Sequence, residues 1–291
     1  MSDRSVGIGG RQLSPLPGPA EQKPLPPGDF ERFCRGVKDM LGVDLSTYKR
    51  KQMERRARGM ATRSHAETLT EYLQMLKDDP VLLDRFMERM TITVSQLWRN
   101  TDIFEAIEQM ILPELDETAE GRKLKLWSAG CSYGAEPYTL ASICLEMGRK
   151  LSQVPQIKGT DINPRMIEQA KRGHFTDEDA RDAPPRLLQK YFDRPQGGGW
   201  TAKPELRAIT QFKVEDLFAS KKEPVDLILF RNVAIHFERE KRDEVHGILA
   251  DALRPGGILV LGSTEMIIGP AEIGLERVRP FVFRKSAQGA A

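Results

Sequence analysis

Apolar positions recur at helical spacing from Asp29 to about Leu115, then change to short solid runs separated by helical stretches. In the first region Phe30, Phe33, Val37 and Met40–Leu41 share one face of a helix that Asp29 can cap and Gly42 ends. A second helix follows Ser46, a third runs through Glu67 to Lys77, and a fourth spans Pro80 to Met90. Thr101 or Asp102 caps a fifth, with Phe104, Ile107 and Ile111 on one face.

Beyond Leu115, KLKLWSAG, QIKGTDIN, VDLILFRN and GGILVLGS read as buried strands. The stretches EPYTLASICLEMG, PRMIEQAKRG and HFEREKRDEVHGILADAL read as the helices between them. Such alternation predicts an α/β domain with a parallel sheet covered on both faces. FVFRKS is expected as a last, antiparallel edge strand, and AITQFKVED as a further strand of the sheet. The glycine run in YFDRPQGGGWTAKPELR suggests a small β insert at about 190–212. The expected organisation is a leader at 1–28, a helical domain at 29–115 and an α/β domain at 116–288.

Composition narrows the class. The 291 residues carry 44 Lys and Arg against 42 Asp and Glu, so no general preference for nucleic acid is expected. Three cysteines without a CxxC or Cys/His cluster argue against a disulfide framework or a zinc site; no metal is expected. Cys131 and Cys144 fit as small buried packers. Lacking an 18-residue apolar run or a signal-type N-terminus, the chain is expected to be cytoplasmic and not membrane-embedded. Residues 1–28 are rich in Pro and Gly and read as a disordered leader. Charge is uneven in one place: Lys49 to Arg63 holds seven Lys or Arg against Glu54 alone. That is either a solvated helix face or a docking surface for an acidic partner.

The candidate chemistry lies at the carboxyl ends of the strands, where open parallel sheets bind ligands. Gly130 and Gly134 in WSAGCSYGAEPYTLA allow close backbone approach, and a helix N-terminus follows. Asp161 ends the second strand, where an acid can accept hydrogen bonds from a ribose diol; Asn232 ends the third. Each has a plain structural reading as a turn or a cap. Neither the Walker lysine motif nor GxGxxG is present, which leaves S-adenosylmethionine as the common nucleoside ligand for such a sheet.

WSAGCSYGAEPYTLA, GTDINPRMIEQAKRG, FRNVAIHF and LVLGSTEMI resemble the successive motifs of CheR-type chemotaxis receptor methyltransferases. TITVSQLWRN resembles the same family's cofactor segment, and the likeness covers about residues 30 to 285. It implies a Rossmann-like methyltransferase domain with a small β insert after an all-α domain, acting on receptor glutamates with S-adenosylmethionine and releasing S-adenosylhomocysteine. By position it implies that Thr93, Ser95 and Arg99 meet the cofactor, with Arg99 pairing its carboxylate. Glu136 and Gly130 would sit beside it, Asp161 on its ribose, and Asp216 and Leu217 about the adenine. Asn232 and Val233 would lie near the methyl, and His236 near the substrate carboxylate. The implied partner is a chemoreceptor cytoplasmic domain docked on the basic helix Lys49–Arg63 of a monomer.

The pattern departs from the family in four places. Ala135 stands for a first acid, Leu97-Trp98 for Phe-Phe, Asp216 for Asn, and His236 for the usual tyrosine. A histidine there is expected to make the reaction pH-sensitive near neutrality. These changes also leave open a cofactor-binding adaptor that does not catalyse. The insert is short, so receptor binding is expected on the helical domain, with Trp200 packing on the sheet.

Overall fold

A computed structural model describes residues 25–90, 95–219 and 222–286, so most of the expected leader lies outside the described residues. Helices α1 (Asp29–Leu41), α2 (Arg50–Arg63), α3 (Leu69–Asp78) and α4 (Pro80–Met90) form the N-terminal domain. They close on Phe33, whose ring meets Phe86 edge-on at 5.8 Å and stacks near Tyr72 at 6.2 Å. Asp29 does not cap its own helix as the sequence suggests; Gly28 holds that position. The Asp29 carboxylate is buried and accepts the N–H groups of Leu69 and Thr70 instead, so it caps α3 and ties the two helices together. Gly42, at φ 71°, ends α1 as its position implies.

The fifth predicted helix forms as α5 (Thr101–Ala106), a π turn (Ile107–Ile111) and α6 (Leu112–Thr118). It does not join the helical domain. Phe104, Ile107, Ile111 and Leu115 pack in one core with Leu126 and Leu227 of the sheet. Its apolar stripe thus covers a sheet face, and the boundary near 115 moves upstream of this helix.

The second domain runs β1 (Lys125–Ala129), α7 (Ala135–Met147), β2 (Gln156–Asp161), α8 (Pro164–Arg172), β3 (His174–Phe175) and α9 (Pro185–Tyr191). It continues with β4 (Phe192–Asp193), β5 (Trp200–Ala202), α10 (Pro204–Ile209), β6 (Thr210–Val214), β7 (Val225–Phe230) and α11 (Arg239–Ala252). It finishes with β8 (Leu253–Leu261), β9 (Leu275–Arg279) and β10 (Val282–Lys285). The large sheet has the order β6-β2-β1-β7-β8-β10-β9. Its first five strands are parallel, β10 runs antiparallel to β8, and β9 pairs antiparallel with β10. All six residues of β7 are buried, as a solid apolar run in a two-sided sheet requires. Strand order switches between β1 and β7, which opens a crevice at their carboxyl ends.

Three expectations change. FVFRKS is an interior strand: β10 lies between β8 and β9, and β9 forms the edge. The β9 segment was illegible because Leu275 alone of its five residues is buried. The small sheet has the order β3-β5-β4 and draws a strand from His174–Phe175, upstream of the glycine run. Trp200 packs partly buried against the main core, under the Arg194 guanidinium at 4.8 Å. The helix expected from His236 begins only at Arg239. Ahead of it Ala234–His236 makes one 3-10 turn, and Phe237 is extended because it bridges Tyr48 of the N-terminal domain. Among the described residues no helix is long and apolar enough to cross a membrane.

Candidate active site

The loop after β1 is set by backbone bonds. Gly130 and Cys131 both donate to the Thr160 carbonyl at 2.8 Å, and Gly134 donates to Cys131 at 3.0 Å. Gly130 has φ 75°, and a Cβ there would lie 2.6 Å from Val233 Cγ2. Gly134 has φ 90°, and its Cβ would lie 2.9 Å from Ala170. Both glycines therefore serve conformation and close approach together. Asp161 braces the loop from the next strand: Oδ2 accepts Ser132 N–H and Oδ1 accepts Asn163 N–H, each at 2.9 Å. A carboxylate can take about four hydrogen bonds, so Asp161 keeps capacity for a hydroxyl. Burial pushes its pKa above the usual carboxylate range, against the pull of those N–H groups.

Glu136, in the first turn of α7, is held on both oxygens. Oε1 accepts Ser128 Oγ at 2.7 Å, and Oε2 meets Arg231 Nη1 at 3.0 Å. Arg231 also donates Nη2 to the Arg99 carbonyl and to Asn100 Oδ1, both at 2.7 Å, and its guanidinium lies 5.2 Å over Phe104. This buried arginine, missed in the sequence reading, holds the Arg99 segment to the glycine loop. Its signal was only its place beside Asn232. Tyr133 completes the join by donating its hydroxyl to the Ser95 carbonyl and to Asp179.

The turn after β7 is shaped by a second unforeseen residue. The Glu265 carboxylate accepts the backbone N–H groups of Asn232, Val233, Ala234 and Gly262, at 2.8 to 2.9 Å. Asn232 takes φ 61°. Trp98, Asn100 and Ser132 also have positive φ, so four of the seven such non-glycine residues described cluster here.

His236 follows this turn. Burial, with Arg56 and Lys49 nearby, pushes its imidazole down to about 4. It is therefore neutral at neutral pH, which corrects the expectation of titration near neutrality. Arg56 reaches in from α2 and donates Nη1 to the Met90 carbonyl at 3.0 Å.

These groups enclose one cavity of about 480 Å³. From the sheet side it is lined by Ser95, Arg99, Gly130, Glu136, Asp161, Asp216, Leu217, Asn232, Val233 and His236. Thr93 lies outside the described residues. The facing wall comes from the helical domain, with Tyr48, Arg56, Phe86, Met87 and Met90. The set suits a sulfonium nucleoside amino acid: Asp161 for a diol, the Arg99 cation for a carboxylate, and Leu217 and Phe218 for a base. Gly130 lets the Val233 side chain pack against the loop backbone, in space that a Cβ would take.

Residues 93–275 match the family described as CheR methyltransferase, SAM binding domain, and residues 28–91 match CheR methyltransferase, all-alpha domain. A chemotaxis protein methyltransferase of Listeria innocua is 35% identical over 260 residues, covering 89% of this chain and 97% of its own. Chemotaxis protein methyltransferase 1 of Pseudomonas aeruginosa is 32% identical over 251 residues, covering 82% and 90%. The Borreliella burgdorferi chemotaxis protein methyltransferase is 26% identical over 268 residues, covering 89% and 94%.

Proposed function

The chain belongs to the CheR methyltransferase family, an S-adenosylmethionine-dependent enzyme family of chemotaxis, and on that premise we propose that it esterifies glutamate side chains of chemoreceptor cytoplasmic domains. One observation carries the reading: the helical domain walls one side of the cofactor cavity, where Arg56 and His236 both line it. The Arg56 cation and a neutral imidazole donor together favour a carboxylate. Lys51, Arg55 and Arg63 are exposed on the same helix, α2, and would meet the acidic flanks of a receptor helix.

When bound, the cofactor supplies an electrophilic methyl group on a sulfonium. A glutamate carboxylate is ionised at neutral pH, so no general base has to activate it. Arg99 holds the cofactor carboxylate, Asp161 its ribose, and Asp216 and Leu217 border the adenine. Asn232 and Val233 form the surface beside the reacting centre. Neutral His236 donates a hydrogen bond that orients the incoming carboxylate without holding it as a tight ion pair. Opposite charges are consumed in the transfer, so a water-poor cavity and fixed alignment favour it.

The deciding experiment supplies labelled S-adenosylmethionine with a receptor cytoplasmic fragment. Base-labile label on glutamate-containing peptides is the expected result. Cofactor binding without transfer to any receptor fragment would defeat the reading. The enzyme is further read as a cytoplasmic monomer, which sedimentation of the purified chain checks.

A further inference from the structure

We propose that Glu265 is a positioning residue for the cofactor, acting through the backbone of the Asn232–Ala234 turn without touching the ligand. Glu265 is 5% exposed, and its donors are all main-chain N–H groups. Oε2 accepts from Asn232 and Gly262, each at 2.8 Å; Oε1 accepts from Val233 at 2.9 Å and Ala234 at 2.8 Å. A buried carboxylate is tolerated only when its oxygens are fully hydrogen-bonded. Here the compensation comes from three consecutive amides of one turn and a fourth from the neighbouring strand end.

The three successive N–H groups stand at the entry to the 3-10 turn Ala234–His236, where a helical backbone leaves its first donors unpaired and a single carboxylate can take them together. The convergence goes with the φ of 61° at Asn232. It turns Asn232 and Val233 toward the cavity, and it presses Val233 into the space that only a glycine at 130 leaves free. The turn and the glycine loop are thus in van der Waals contact. A loosened turn would pass its displacement straight to the cofactor floor. A role confined to tying β7 to β8 would need one N–H bond across the strand ends, such as that from Asn232, the Gly262 bond being local to the loop after β8. The three bonds to the turn go beyond it.

The inference rests on the cofactor cavity and not on the identity of the methyl acceptor. Its test therefore uses S-adenosylhomocysteine as the probe, with the full chain, read by titration calorimetry. Glu265→Gln keeps the volume but sets an amide N–H₂ against two backbone N–H groups. The expected result is at least a tenfold rise in Kd, with hydrogen exchange at residues 232–234 at least tenfold faster. Val245→Ala, in the α11 core, lowers the melting temperature but leaves the Kd within twofold. Should Glu265→Gln fail to fold, Gly262→Ala decides: its Cβ would lie 2.9 Å from both Glu265 Oε2 and Asn232 N. It must show the same loss of affinity. A Kd within twofold of the parent in the folded variant, or an equal loss in Val245→Ala, overturns the proposal. Such a result would leave glutamate as the methyl acceptor untouched, because that reading is decided by labelled transfer.

Discussion

Lys49 donates its backbone N–H to the carbonyl of His236 at 2.9 Å. The first turn of the basic helix is therefore bonded directly to the turn that carries the cavity-lining His236. Glu238 strengthens the join, donating its N–H to Thr47 at 3.1 Å and accepting Arg50 N–H at 3.0 Å. Tyr48 and Phe237 pack beside it with ring centroids 5.1 Å apart. The two domains meet at the cavity itself.

Phe237→Ala removes a buried ring from that join. Truncating a buried Phe costs about 3–5 kcal/mol, and here the loss falls between domains. Urea unfolding is expected to shift to a lower midpoint and to split into two transitions. A single transition with an unchanged midpoint would count against a coupled interface.

Acid stability follows from two histidines withdrawn from solvent, His246 buried and His236 half-buried. His236 and His246 are both pushed down to about 4 by burial. The unfolded chain takes up protons below pH 6.5 that the folded protein refuses until about pH 4. Stability is thus full above pH 6.5 and is lost as pH falls toward 4, by roughly 2–3 kcal/mol for His246. Asp161 and Glu265, whose pKa values are raised, act in the opposite direction, so the informative quantity is a difference. His246→Phe should flatten the fall between pH 6.5 and 4.5 in urea titrations. The affinity for S-adenosylhomocysteine should be constant from pH 6.5 to 8, because His236 stays neutral across that range.

Gly130→Ala meets both a φ of 75° and the Val233 side chain. We expect a loss of at least about 1–2 kcal/mol in stability and at least tenfold in cofactor affinity. Adding Val233→Ala relieves the contact but not the φ, so calorimetry on the double variant should show partial recovery. Full recovery would mean that backbone conformation at 130 is unimportant.

Arg231→Met leaves the half-buried Glu136 without its cation and releases the Arg99 carbonyl. Breaking a buried pair costs about 3–5 kcal/mol. Arg231→Lys should recover little, because one ammonium cannot reach Glu136, Arg99 and Asn100 as the planar fork does. Chemical denaturation and cofactor titration of both variants measure this.

The basic helix separates into two roles. Lys51→Glu with Arg55→Glu, on exposed positions, should raise KM for a receptor fragment at least tenfold and weaken its salt dependence. Arg56→Ala, inside the cavity, should lower kcat as well. Both should leave the Kd for S-adenosylhomocysteine within twofold. Unchanged KM in the exposed-charge variant would remove α2 from the docking surface.

Gly130, Glu136, Asp161 and Asn232 were legible because each sits at a strand end inside a local motif. Arg231, Glu265 and Arg56 were not, since what they do depends on partners far along the chain. Arg231 lies 95 residues from Glu136, and Glu265 lies 33 from Asn232. The same limit explains Asp29, whose sequence position says helix cap and whose carboxylate caps a helix 40 residues away. It explains β9 too, where one buried residue in five carries no readable alternation.

By itself the sequence determined the order of the five parallel strands and the three helices α7, α8 and α11, the crevice at the strand ends and the family, because periodicity, turn residues and motif spacing are local properties. Only the tertiary structure decided that the fifth helix serves the sheet and that the helical domain walls the cofactor cavity. It also decided that His236 stays neutral, since burial and the approach of Arg56 and Lys49 set its proton affinity. Those outcomes depend on solvent exclusion and on charges brought together by folding, which no stretch of the chain contains alone.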